Sequence, residues 1–253
     1  MSHNGAMDSV APLSTDERST LEGLTADLRR VFGARLHSVS AYGLQRPSGS
    51  PRAVHSIVLV ERLTFQDLSV CAPLAVAWGR KSLAVPLILE REEFLRTLDV
   101  FPLEYGDIIA HHVVIAGSDP FVDARVSPAD IRRACELAAK SHLIHLREGF
   151  LETGGDARAV ERLIAASAGP FHALLANIAR LADDQTFPRK DRDEDVAQTA
   201  ERQMAIPASV VHDVIGAGSG TQSSITDPTA TLSRYISAVE KVWEYVDTWR
   251  ARA

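Results

Sequence analysis

The chain is poor in the features that mark several functional classes. It has two cysteines in 253 residues, Cys71 and Cys135, too few for a disulfide scaffold or a cysteine-based metal cluster. Both stand in apolar helical contexts, which suits reduced core residues of a cytoplasmic protein. No uninterrupted apolar stretch approaches the roughly 18 residues that a membrane span needs. Basic excess is missing too. With 27 Lys+Arg against 33 Asp+Glu, the formal net charge is -6, so no global positive field draws in nucleic acid and no clear nucleic-acid patch stands out. Residues 1–14 lack the basic-then-apolar pattern of a signal peptide and read as a disordered tail. There is no internal repeat and no low-complexity segment.

What remains is an ordinary globular balance, 45% apolar and 24% charged, with length for one large domain or two smaller ones. Periodicity divides the chain near residue 126. Before it, helical and strand patterns alternate. A helix with Thr15 as cap carries Leu21, Leu24, Leu28, Val31 and Phe32 at helical spacing and stops at Gly33. His37–Tyr42 alternates as a strand and ends at Gly43. A Pro/Ser/Gly-rich loop fills residues 44–53. Val54–Val60 contains Ile57-Val58-Leu59-Val60, a continuous run that predicts a central strand buried on both faces. Phe65–Trp78 is helical, with Pro73 expected to kink or divide it. Val85–Leu89 is a third strand, Arg91–Leu98 a short charged helix, Pro102 the start of a helical turn, and His111–Ala116 a fourth strand closed by Gly117.

After residue 126 every signal is helical. Ser127-Pro128-Ala129-Asp130 combines a serine cap, a first-position proline and an acid in the first turn. Asp156 caps a second helix running to Leu181, with a kink expected at Gly169-Pro170. Asp191–Met204 and Pro207–Ile215 follow. Residues 216–226 read as a flexible loop, and Asp227-Pro228 starts the last helix. The fold class is therefore α+β: an α/β domain over 15–126 with a mixed sheet of about four strands, then an all-α helical bundle over 127–253.

Leu28 through Val39 followed by Ala41-Tyr42-Gly43 resembles the opening of the nucleotidyltransferase superfamily. The segments Asp99–Tyr105, Gly117–Phe121, His145–Leu151 and Tyr235–Asp247 resemble a group of uncharacterised bacterial nucleotidyltransferase-like proteins. The resemblance implies a nucleotidyltransferase domain followed by a helical one. It also implies a site: a Gly-Ser after the first strand to hold phosphate, two aspartates two apart on the second strand to bind Mg²⁺, and a third acid from a later strand. That chemistry needs hard oxygen ligands to neutralise phosphate and position the nucleophile.

The residues depart from this pattern. Gly43 is followed by Leu44, not serine. The second strand reads Val54-His55-Ser56-Ile57-Val58-Leu59-Val60, with no acid pair in any register. His55 and Ser56 are the polar groups at the expected place, and they do not replace two carboxylates for Mg²⁺. Glu61, Asp67 and Glu90 are the acids left as catalytic candidates. Arg46 and Arg52 flank the loop after Gly43 and could attract an anion, though a solvated loop is the plainer reading.

Other constellations are bland. His142 and His145 share a helix face and, with His111-His112, have metal-ligand residue types, but no carboxylate or cysteine joins them at ligand spacing, so polar contact between domains is preferred. Gly216–Thr221 hints at a phosphate loop but lacks the lysine. Arg189–Asp195 reads as a solvated helix start. Trp243 is expected in the core, while an exposed Trp249 would suit a homodimer contact. The sequence therefore predicts a catalytically degenerate nucleotidyltransferase-fold protein that binds a small molecule or a protein and needs no cofactor. The alternatives are an active Mg²⁺-dependent nucleotidyltransferase and a pure protein-interaction module.

Overall fold

The computed structural model describes residues 13–44, 53–182, 193–220 and 225–250. They divide into two compact units, one ending at Val126 and the other beginning at Ser127.

The first unit is built on a four-stranded mixed sheet in the order β3-β2-β1-β4. β1 (Leu36–Tyr42) runs antiparallel to β2 (His55–Val60) on one side and to β4 (His112–Gly117) on the other, while β2 runs parallel to β3 (Leu87–Glu90). The continuous apolar run of β2 fits its interior place: Ile57, Val58, Leu59 and Val60 are each no more than 1% exposed. Alternation sends them into two different layers. Val58 and Val60 join Leu21, Leu24, Leu28 and Phe32 of α1 (Thr15–Phe32) and Cys71 and Trp78 of α2 (Phe65–Gly79). Ile57 and Leu59 join Phe94 of α3 (Arg91–Arg96), Tyr105 and Ile108 of α4 (Pro102–Ala110), and Phe121 from the loop after β4.

Several boundaries correct the sequence reading. The cap of α1 is Ser14, not Thr15. Its Oγ accepts from the Glu17 amide at 3.2 Å while Glu17 Oε2 accepts from the Ser14 amide at 2.9 Å. That reciprocal pair requires an acid three residues on; a cap at Thr15 would find Arg18 there. Leu13, placed in the tail by the sequence reading, packs against the first core layer. Pro73 does not divide α2, because Cys71 and Trp78 are buried on either side of it. β3 begins at Leu87 instead of Val85, after Pro86, which has no amide hydrogen for the ladder. β4 begins at His112, because His111 still bonds its amide to Asp107 O at the end of α4.

The second unit is all helical among its described residues: α5 (Pro128–Glu152), α6 (Ala157–Ala182), α7 (Asp193–Met204), α8 (Ala208–Ser219) and α9 (Pro228–Thr248). Ser127, Asp156 and Asp227 cap α5, α6 and α9 as the sequence predicts. α6 contacts each of the other four. It is unbroken through Gly169-Pro170, with Ala168 and Phe171 buried on either side of the pair.

The stretch 216–219 is not a loop. α8 continues through it to Ser219. A Cβ on Gly218 would stand 2.4 Å from Ala168 Cβ and 3.2 Å from the Ala165 carbonyl oxygen of α6. The glycine is there to let two helix backbones approach, not to make a turn. Gly218→Ala is therefore expected to destabilise the helical unit by about 1–3 kcal/mol through overpacking. Gly23→Ala, where a Cβ meets nothing within 4 Å in the middle of α1, is expected to stabilise by about 0.5–1 kcal/mol. Urea unfolding of the two variants against the parent checks both signs.

Candidate functional site

The resemblance directs attention to the end of the sheet where β1 leaves and β2 begins. Gly43 turns the chain there at φ 64°. Tyr42 is the centre of a cross-strand row, opposite His55 on β2 and His112 on β4. The Tyr42 and His55 rings lie 5.6 Å apart and tilted, and burial pushes the Tyr42 phenol pKa up. His112 bonds through Nδ1 to the Ile109 carbonyl at 3.0 Å, and its Nε2 lies 3.2 Å from Asp119 Oδ1.

At the position of the phosphate-holding serine, Leu44 is 8% exposed and belongs to the first core layer. Ser56 is 1% exposed, and its Oγ has no hydrogen-bond partner. No Asp or Glu occurs between Asp27 and Glu61 in the whole sequence, so the β1–β2 hairpin and its loop carry no carboxylate. One carboxylate does reach the Tyr42 row, that of Asp119. It lies on the β4 side of β1, away from β2, and its Oδ1 already faces His112 and accepts from the Phe121 amide at 2.8 Å. The donor set at this end is imidazole, phenol and hydroxyl with one acid, which does not fit Mg²⁺. Among the described residues no group of three or more His, Cys, Asp or Glu could hold a metal ion.

The three acids singled out by sequence do not come to this end. β1 and β2 are antiparallel, with Tyr42 opposite His55 and Leu36 opposite Val60. Glu61 and Glu90 therefore sit at the far end of β2, roughly 16 Å of strand from His55. Glu90 Oε1 accepts from the Leu63 amide at 2.8 Å, and Glu61 is exposed. Asp67 is buried and doubly engaged. It receives Arg35 Nη2 at 2.7 Å and Nη1 at 2.9 Å, and it closes the capping box of α2 with Thr64. The Arg35 guanidinium first, and the Thr64 hydroxyl second, hold its carboxyl well below the usual carboxylate range. Asp67 thus ties the start of α2 to the start of β1. Arg46 and Arg52 lie outside the described residues.

Both histidines of the α5 pair are engaged within the helical unit. His142 Nε2 lies 2.6 Å from Tyr235 Oη of α9, and its ring stacks on Phe171 of α6 at 17°. Burial holds the His142 imidazole below its ordinary pKa, with His145 adding to the effect. His145 faces solvent beside Glu148. Trp243, expected in the core, is half-buried with Lys140 Nζ 3.8 Å over its ring. Trp249, expected exposed, is half-buried as well. Of the charge run at 189–195, Asp193–Asp195 form the first turn of α7, and the rest lies outside the described residues.

The Arg35–Asp67 pair gives a pH signature. A carboxyl whose folded pKa is depressed contributes stability above its unfolded value near 3.9 and loses it as pH falls toward the folded value. Arg35→Met is therefore expected to lower the melting temperature at pH 7. The gap from the parent should narrow steadily as pH falls below the unfolded value near 3.9. Thermal melts between pH 2 and 7 measure it; a gap that does not shrink with acid would mean that Arg35 acts by packing alone.

No protein family profile matches the chain, and no curated protein matches it. Solved structures do. The spectinomycin adenyltransferase AAD(9) from Enterococcus faecialis, solved with ATP and spectinomycin, superposes with a TM-score of 0.50 at 10% identity, over 91% of this chain and 99% of that one. The similarity is one of fold: a mixed α+β sheet domain of nucleotidyltransferase type together with a helical region.

Proposed function

We propose that this protein keeps the nucleotidyltransferase fold without nucleotidyl transfer and works by binding a small molecule, a nucleotide being the ligand that the fold suggests. The observation that carries the reading is the acid-free β1–β2 hairpin. Two-metal phosphoryl chemistry stabilises charge with carboxylate-held cations, and β2 offers His55, Ser56 and aliphatic side chains instead. The second layer adds to this. Ile57 and Leu59 lie under Phe94, Tyr105 and Phe121, so an ionised carboxylate at either position would be desolvated at high cost. The adenyltransferase neighbour was solved with ATP and a small molecule, which makes ATP the first ligand to try.

The test is ATP or GTP titration with Mg²⁺ and with EDTA, followed by thermal shift and pyrophosphate release. Binding to the native state raises the melting temperature. The expected result is a shift that is the same with and without Mg²⁺, and no pyrophosphate above a protein-free control. Mg²⁺-dependent pyrophosphate release would establish the enzyme reading instead, with Mg²⁺ as its cofactor.

A second reading, a protein-interaction module, is favoured by the outer face of α2. Phe65 is 83% exposed, Val76 60% and Leu68 42%. The one charge of the helix, Asp67, is turned inward to Arg35. A surface helix with an uncharged outer face is uncommon in a free-standing domain. On this reading Phe65→Glu with Val76→Glu leaves the fold intact and lowers self-association or partner capture, seen as a lower weight-average mass in sedimentation at matched concentration. An unchanged mass on a parent that does associate would exclude α2 as the contact.

A further inference from the structure

A polar cavity lies in the sheet unit, bounded by the start of β1, α3 and the loop after β4. Its volume is about 210 Å³, and its lining includes His37, Ser38, Arg91, Leu95, Asp119 and Asp123. It is below the several hundred Å³ of a drug-sized pocket.

Three features separate it from a casual surface dent. Ser38 beside it is 2% exposed, and its enclosed Oγ has no hydrogen-bond partner, a condition that ordinarily costs stability. Arg91 and Asp123 line the same cavity with opposite charges, yet neither makes an ion pair or hydrogen bond with any described residue. They face a common space without closing on each other. The wall is also fixed. Gly117 turns the chain at φ 83°, with its Cα so close to β1 that a Cβ would stand 2.1 Å from the His37 carbonyl oxygen. Asp119 is anchored by the Phe121 amide and His112, and Phe121 and Ala124 are buried in the second core layer.

We propose that this cavity binds a small zwitterion of amino-acid size, its carboxylate on Arg91 and its ammonium on Asp123. Two opposite charges that line one small cavity unpaired are complementary to a ligand that carries both charges a few bonds apart. A simple anion would satisfy Arg91 and face the carboxylates; a simple cation would do the reverse. Leu95 supplies an apolar wall for the ligand's carbon chain. The cavity shares Asp119 with the Tyr42 row but does not rest on the reading proposed for that end.

The experiment is a thermal-shift and calorimetric titration of the full chain with a ruler of amino acids: glycine, β-alanine, 4-aminobutanoate, 5-aminopentanoate and 6-aminohexanoate. Acetate plus methylammonium at equal ionic strength supplies the two charges unlinked. One or two lengths are expected to raise the melting temperature where the unlinked pair does not. Arg91→Gln and Asp123→Asn, both exposed and unbonded, should keep the ligand-free melting temperature and each weaken binding by at least tenfold. Ser38→Ala should raise the ligand-free melting temperature, since it removes an unsatisfied buried hydroxyl. The proposal fails if no length exceeds the unlinked pair, or if the best ligand binds Arg91→Gln as well as the parent. A response carried by the carboxylate alone, surviving Asp123→Asn, would overturn it in favour of an anion site.

Discussion

The constraint on which the rest depends is the position of β2 between two apolar layers. Four consecutive aliphatic residues, Ile57 to Val60, alternate into a layer under α1 and α2 and a layer under α3, α4 and Phe121. A strand buried on both faces tolerates charge only at its ends. Once both layers close, the chemistry of the sheet unit must sit at the ends of the strands or in the loops. The two ends differ. One carries the row His55–Tyr42–His112. The other gathers Glu61, Glu90, Arg35 and Asp67, with the Arg91–Asp123 cavity beside it.

This division explains why the acids that remain in the sequence do not rebuild a metal site. Asp67 is within hydrogen-bond reach of Arg35 and Thr64 at once, and its role as third residue of the α2 capping box fixes where its carboxylate points. Glu90 is likewise held by the Leu63 amide while it stands at the start of α3. Both are at junctions where a strand hands over to a helix. A carboxylate there satisfies orphan helix amides and favours the dipole, which is a structural use of the same residue type that catalysis would need at the opposite end.

The fold was legible where a single element announces itself. The apolar run of β2, the Ser127-Pro128 and Asp227-Pro228 starts and the long α5 pattern each follow from local periodicity. The missing acids were legible for the same reason, since two carboxylates on one strand face must be two residues apart. What was hidden depends on pairs of elements. Gly218 reads as a loop glycine until Ala168 is seen beneath it. His142 reads as half of a metal pair until Tyr235, 93 residues later, bonds to it. Arg35 and Asp67 have no shared motif. The cavity residues Ser38, Arg91 and Asp123 come from a strand, a helix and a loop, and no spacing in the sequence connects them.

The buried hydroxyls sharpen the contrast between the two ends. Ser38, Ser40 and Ser56 are all within 2% of complete burial, and their Oγ atoms are unpartnered. Each would be better served by alanine if stability were the sole demand, since an unpaired buried hydroxyl costs about 1–3 kcal/mol. Ser40 and Ser56 lie inside the sheet, against Ile57 and Ala41, and nothing in the structure explains them. Ser38 differs in its backbone setting, since it stands beside the cavity at the start of β1. Across β1 and β2, then, three enclosed serines separate into two held inside the sheet and one beside a cavity lined by opposite charges. That geometric distinction, not residue identity, is what makes the start of β1 a place where a ligand could be held.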